Sequence, residues 1–264
     1  MNSTNKNIKN YVIHTYLMFI LFIGLIGLVM YVFNIEALVT VLQTVSAWTP
    51  TFILLLMFKK IYPQDSQLQF IRRQFTEKIK PTILLAAIGL PLAIFLGALI
   101  FAVLLYKKPF YELIITSPLP LFYMLPFHLS SGPLGEELGW RAFLLPEIQK
   151  KLSLLKSGFI VGLIWGFWHL PLWLVSGYGW PELVIYIISF LVSIVCCSII
   201  ITILYSKCKN LLIAIIVHVL NNYLLGLFTF DLIQSLTIFA AFYLVVTCIL
   251  IIITKKTLRK GTAI

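Results

Sequence analysis

The sequence predicts an all-α polytopic membrane helix bundle of about eight transmembrane helices. Three observations carry this. The 264 residues are 61% hydrophobic and 11% charged, with mean hydropathy +1.01, whereas soluble domains run near 25% charged and 45–50% apolar. The apolar residues fall in blocks of about twenty, the length that crosses a bilayer core. The basic residues gather beside the ends of those blocks.

Taken in order, the first block, 11–33, is too long for a signal-peptide core and lacks a small-residue cleavage site, so it reads as a retained first helix. The second, 37–58, is followed by the longest polar segment, 59–80. There Phe70, Ile71 and Phe75 alternate with Arg72, Arg73 and Lys78, which fits an amphipathic surface helix or a solvated basic loop. The third block is 82–106. The fourth, 118–145, is broken by Ser130-Ser131-Gly132-Pro133. Broken backbone is tolerated in a membrane where it lines a cavity or is buried in protein. Ser130 or Ser131 is expected to cap a new helix with Glu136 and Glu137 in its first turns, where the helix dipole favours carboxylates. The remaining blocks are 156–176, 181–205, 210–228 and 232–254. No repeat or second domain is visible, so 1–264 reads as a single membrane domain.

Eight spans put both termini on one side, and charge selects the side. Lys6, Lys9, Lys59, Lys60, Arg72, Arg73, Lys78, Lys80, Lys150, Lys151, Lys156, Lys207, Lys209, Lys255, Lys256, Arg259 and Lys260 share it, 17 of the 20 basic residues. Only Lys107 and Lys108 lie opposite. The positive-inside rule makes the rich side, with both termini, cytoplasmic. The same placement assigns the net charge of +11 to topology and to anionic lipid headgroups rather than to nucleic acid. The compact size suggests a bacterial plasma membrane. The four cysteines form no C-x-x-C pair and read as packing, with no disulfide framework or thiolate zinc site.

Against this apolar background, Gly135-Glu136-Glu137-Leu138-Gly139-Trp140-Arg141 stands out. One charge at a bilayer centre costs roughly 2.5–3.5 kcal/mol, so three unpaired would cost on the order of 7–10 kcal/mol. A helix kept only as an anchor would not carry them. Glu137 and Arg141 are spaced i,i+4 and can pair, while Glu136 is rotated about 100° away and left available. His169 follows Trp165 by four residues, and Trp165 can wall the site or fix the imidazole. Pro171 bends the helix just beyond. His218 and Asn222 share another helix face, and both suit an oxyanion site; Asn221 is offset from that face. His14 and His128 have no polar companion and read as structural or interfacial. No H-E-x-x-H or G-x-S-x-G occurs, and Asp65 and Asp231 lie outside the spans. Zincin, serine and aspartyl arrangements are thereby excluded, and a glutamate–histidine set remains.

Glu136-Glu137-x-x-x-Arg141, Trp165-x-x-x-His169 and His218-x-x-x-Asn222 together resemble the three motifs of the CPBP (CAAX-protease and bacteriocin-processing, or Abi) membrane proteins. The second motif usually begins with Phe, and here Trp165 stands in its place. The resemblance implies a catalytic core over 118–228. In it Glu136 and His169 activate a water, His218 and Asn222 hold the oxyanion, and Glu137 and Arg141 support the site. It implies an intramembrane endopeptidase acting on membrane-embedded or membrane-anchored peptides, of the prenylated CAAX type or peptide precursors. The family is often labelled a metalloprotease. No cofactor is the expected state, and the alternative is zinc on Glu136, His169 and His218. Two other functions fit the same residues: a non-catalytic immunity or partner-binding protein of this fold, and a proton-coupled transporter.

Overall fold

The computed structural model describes residues 3–33 and 35–260, with side chains described within 5–33 and 35–254. The chain ends, and the side chains of Lys255, Lys256, Arg259 and Lys260, lie outside that description.

The regular elements among the described residues are all helices, apart from one isolated antiparallel bridge between Ile114 and Phe228. In order the helices are α1 (Ser3–Phe33), α2 (Glu36–Ser46), α3 (Thr49–Ile61), α4 (Gln67–Arg73), α5 (Pro81–Tyr106), α6 (Phe110–Leu113), α7 (Pro118–Ser130) and α8 (Pro133–Glu137). A π-helical stretch, Leu138–Leu144, joins α8 to α9 (Leu145–Gln149). Then follow α10 (Leu154–Trp168), α11 (Leu170–Leu174), α12 (Glu182–Cys208), α13 (Leu211–Leu225) and α14 (Leu232–Lys260).

Among the described residues four helices are long and apolar enough to cross a membrane: Asn5–Phe33, Pro81–Tyr106, Glu182–Cys208 and Leu232–Thr254. The pair α2–α3, bent by 48°, makes a fifth crossing if it is one span. The other three blocks expected as spans are shorter helices. At 1.5 Å per residue, a 15-residue helix such as α10 or α13 extends about 22 Å, short of a ~30 Å hydrocarbon core. These three blocks are the ones that carry the charged and histidine motifs. α7 stops before α8, α10 stops at His169 ahead of Pro171, and α13 runs through His218 and Asn222 and stops at Gly226.

Burial ranks the long helices. The most apolar window of α12 is 72% buried, against 17% for α1 and 33% for α5 and α14. α12 is therefore the central post, packed on α10, α13, α14 and α5, and the lipid-facing sides of the others stay apolar. Along α10, Gly158 brings its carbonyl within 2.8 Å of the Ser198 hydroxyl of α12, which donates to it.

The basic loops meet at one end of the bundle. Asn210 caps α13 by accepting from Leu212 N–H at 3.0 Å, and its amide donates to the carbonyls of Phe75 and Glu77. Lys150 donates to both Glu147 oxygens at 2.7 Å, and Lys151 reaches Asn5 of α1. At the opposite end, Ile115 N–H donates to Leu227 O and Thr229 N–H to Leu113 O. The polar segment 59–80 contains a short helix, α4, rather than only solvated loop. Phe70 docks it against Phe58 and Tyr62, with ring centroids 5.4 and 5.5 Å away, while Arg72 and Arg73 stay exposed.

Ser130 and Ser131 do not cap α8 as expected. Their hydroxyls donate back to Phe127 O, closing α7, and Gly132 stands at the start of α8. The freed Ser130 carbonyl accepts from the Trp48 indole at 2.9 Å. Gly139 shows why the next stretch can pack so closely. A Cβ there would collide with the Tyr11 hydroxyl and with Pro50, so the π-helical segment lies directly on α1 and α3.

Candidate active site

Three short helices deliver the motif residues to one cavity of about 140 Å³. α8 supplies Glu136, the end of α10 supplies Trp165 and His169, and α13 supplies His218, Asn221 and Asn222. Phe190 and Ser193 of α12 and Leu236 of α14 complete the wall. The site is thus built against the most buried helix, which keeps its charges away from lipid. Glu136 is 3% exposed, His218 2%, and Glu137 and Arg141 are fully buried.

Glu136 is held on one side and open on the other. Its Oε2 accepts from the Trp165 indole at 2.5 Å and from the Trp140 indole at 3.3 Å. Two N–H donors on one oxygen stabilise the charged carboxylate that burial opposes. The Trp165 bond was not anticipated, since the sequence suggests a wall or an imidazole support. A phenylalanine there would have no donor, so the departure from the usual motif adds a hydrogen bond to the glutamate. Trp140 was missed, although its i,i+4 spacing from Glu136 was there to read.

The free side of Glu136 looks over Gly132. A Cβ built on Gly132 would stand 3.3 Å from Glu136 Oε1, 3.2 Å from Asn222 Nδ2 and 3.5 Å from His218 Nε2. With no Cβ on Gly132, a carboxylate oxygen, an amide nitrogen and an imidazole nitrogen converge over its backbone, so a water in the adjoining cavity has a base and an amide donor beside it.

Glu137 forms the second layer. Its Oε1 accepts from Arg141 Nη1 at 3.0 Å and from His218 Nδ1 at 2.7 Å. Arg141 also lies 4.2 Å over the Trp165 ring, a cation–π contact. The i,i+4 pair is therefore part of a Glu137–Arg141–His218 network. A carboxylate at Nδ1 fixes the ring so that Nε2 faces the cavity.

His169 Nδ1 lies 2.9 Å from the Trp165 carbonyl, which accepts its proton and leaves Nε2 as the free ring nitrogen. No hydrogen bond joins Glu136 to His169 among the described residues; the two share the cavity wall. Asn221 also lines the cavity, and its Nδ2 donates to Asn222 Oδ1 at 2.8 Å. Its offset on the helix had suggested a place away from the site. His14 bonds its own helix at Asn10 O, and His128 stacks edge-on to Tyr223, both outside the cavity.

Among the described residues no three of His, Cys, Asp and Glu stand close enough to share an ion. The trio named for zinc, Glu136, His169 and His218, lines one cavity without forming one coordination sphere, so no chemical step is derived through a metal.

Residues 118–224 match the family of type II CAAX prenyl endopeptidases described as Rce1-like. The chain is also similar to the CAAX prenyl protease 2 of Methanococcus maripaludis, 37% identical over 92 residues. That match covers 33% of this chain and 34% of the archaeal protein, so the chain spans about a third of the length of the curated relative it matches. The family match begins with α7 and ends two residues after Asn222, and so takes in Glu136, Trp165, His169, His218, Asn221 and Asn222, while Leu225 and Leu236 of the cavity wall lie beyond it. Over residues 118–224, which supply the glutamate, histidine and asparagine side chains of the cavity, this membrane protein is similar to the Rce1-like family.

Proposed function

We propose that the chain is an intramembrane endopeptidase of the CAAX type. In this reading a water activated by Glu136 hydrolyses a peptide bond of a membrane-anchored substrate. The observation that carries it is the convergence of Glu136 Oε1, Asn222 Nδ2 and His218 Nε2 over the Gly132 backbone, each within 3.5 Å of where a Cβ would stand.

The steps balance with these groups alone. A water over Gly132 gives one proton to Glu136 Oε1, and its oxygen bonds to the scissile carbonyl carbon. The free Nε2 of His169 accepts a hydrogen bond from the second water hydrogen. The carbonyl oxygen becomes an oxyanion facing Asn222 Nδ2–H and the edge of the His218 ring, which Glu137 holds in place by accepting from Nδ1. Collapse breaks the C–N bond, and Glu136 returns its proton to the leaving amine. The two indole donors keep the Glu136 carboxylate aimed throughout.

A farnesylated CAAX-type peptide bearing a fluorophore and a quencher tests this with purified protein in liposomes. Cleavage should occur and should persist after exhaustive chelation. Activity lost to chelator and restored by stoichiometric zinc would overturn the metal-free mechanism. Failure to cleave either prenylated or unprenylated peptides would count against the activity itself.

We also assign the basic end, where the loops carrying Lys59, Lys60, Arg72, Arg73, Lys150 and Lys209 meet, to the cytoplasm. Single cysteines placed in 62–80 should be protected from an impermeant maleimide in intact cells, and one at Lys107 should be labelled. The reverse pattern would invert the topology.

A further inference from the structure

The Asn222 side chain can present either end of its amide to the cavity, and only one end donates. Asn221 Nδ2 donates to Asn222 Oδ1 at 2.8 Å, which turns the carbonyl toward Asn221 and leaves Asn222 Nδ2 facing the point over Gly132. In the reversed orientation Asn222 would present its carbonyl oxygen, rather than a donor, to an oxyanion formed there. The structure assigns Asn221 as a positioning residue that fixes the amide orientation of Asn222, a role that rests on the oxyanion function proposed above.

The rest of the Asn221 environment supports this over a packing role. Its Oδ1 is buried without a hydrogen-bond partner among the described residues, which costs stability rather than adding it. The hydrogen bond to Asn222 is the one its side chain makes among them. A leucine or alanine would fill the same wall without an orphaned carbonyl. The sequence hides this because Asn221 lies about 100° around the helix from Asn222, and only the short lateral reach of two amides joins them.

Two substitutions separate orientation from bulk. In Asn221→Asp the new side chain has the same shape but accepts instead of donating. It should draw Asn222 Nδ2 toward itself and turn the carbonyl to the cavity. Turnover of the farnesylated peptide should fall by roughly 10²–10³, the cost of losing one oxyanion donor, with KM unchanged. Asn221→Ala leaves the amide free to turn and should lose several-fold at most. Equal turnover of both variants and wild type would overturn the assignment, as would an alanine variant as impaired as the aspartate one.

A second measurement does not depend on turnover. In detergent-solubilised protein labelled with 15N-asparagine, the Asn222 side-chain amide signal is identified by its loss in Asn222→Ala. It should shift in Asn221→Ala, and an unmoved signal would overturn the hydrogen bond. Wild-type protein that cleaves no peptide yet shows the shift would reject the proposed protease activity while leaving the Asn221–Asn222 coupling in place.

Discussion

Glu136→Gln should reduce turnover of the farnesylated peptide by about 10²–10⁴, the range that a positioned general base contributes. Glutamine matches the carboxylate in shape, so packing is preserved. Its oxygen can still accept from the Trp165 and Trp140 indoles, which donate to Oε2 in the native site. That choice puts the amide NH₂ in the place of Oε1, on the side facing Gly132. A donor there cannot take a proton from water. Folding should survive, because a neutral amide is cheaper to bury than a carboxylate at 3% exposure. The expected signature is therefore a collapsed kcat with a near-native KM and an unchanged melting temperature. A variant with wild-type turnover would remove Glu136 from the chemistry. If instead the chain acted only by binding a partner, Glu136→Gln would leave its cellular phenotype intact. A transporter would show solute uptake in sealed vesicles whether or not any peptide is cut.

The parts of this site that were legible in the sequence are those governed by helix spacing and membrane cost. Charges inside an apolar block had to be paired, and Glu137 with Arg141 four residues later was the available pair; they meet at 3.0 Å. The break at Ser130-Ser131-Gly132-Pro133 announced irregular backbone, and that backbone forms the floor of the cavity. Other parts depended on tertiary packing. Nothing local shows that α10 and α13 stop short of a full span, because hydropathy continues past both ends. The π-helical stretch after Glu137 has no residue signature; its register follows from α1 and α3 pressing on Gly139. Which side of Glu136 is occupied is decided by Trp165, 29 positions along the chain. The role of Asn221 rests on the direction of one amide. Spacing could bring residues to the same face but could not orient a side chain that rotates.

The buried network behind the site leads to the largest expected effect on stability. In Arg141→Met the side-chain volume is largely kept while the charge is lost. Glu137, fully buried, would keep only His218 as a partner at Oε1, and its Oε2 already has none among the described residues. Removing one member of a buried ion pair typically destabilises by about 3–5 kcal/mol, because the other charge is left uncompensated. The lost contact over Trp165 at 4.2 Å adds roughly 0.5–2 kcal/mol. One consideration pulls the sum toward the lower part of that range: Arg141 Nε and Nη2 themselves have no hydrogen-bond partner among the described residues. A loss near 3 kcal/mol is a large share of the 5–15 kcal/mol that usually holds a fold, so membrane levels and melting temperature should both drop. The double variant Glu137→Gln, Arg141→Met removes the orphaned charge and should recover part of that stability. It should not recover turnover, because His218 would lose the carboxylate that accepts from Nδ1 and orients the ring. Thermal melting and peptide cleavage measured on the same three proteins check this. A single variant as stable as wild type, or a double variant no more stable than the single, would show that the pair does not bear the buried charge. A double variant with native turnover would detach Glu137 from His218 in the reaction.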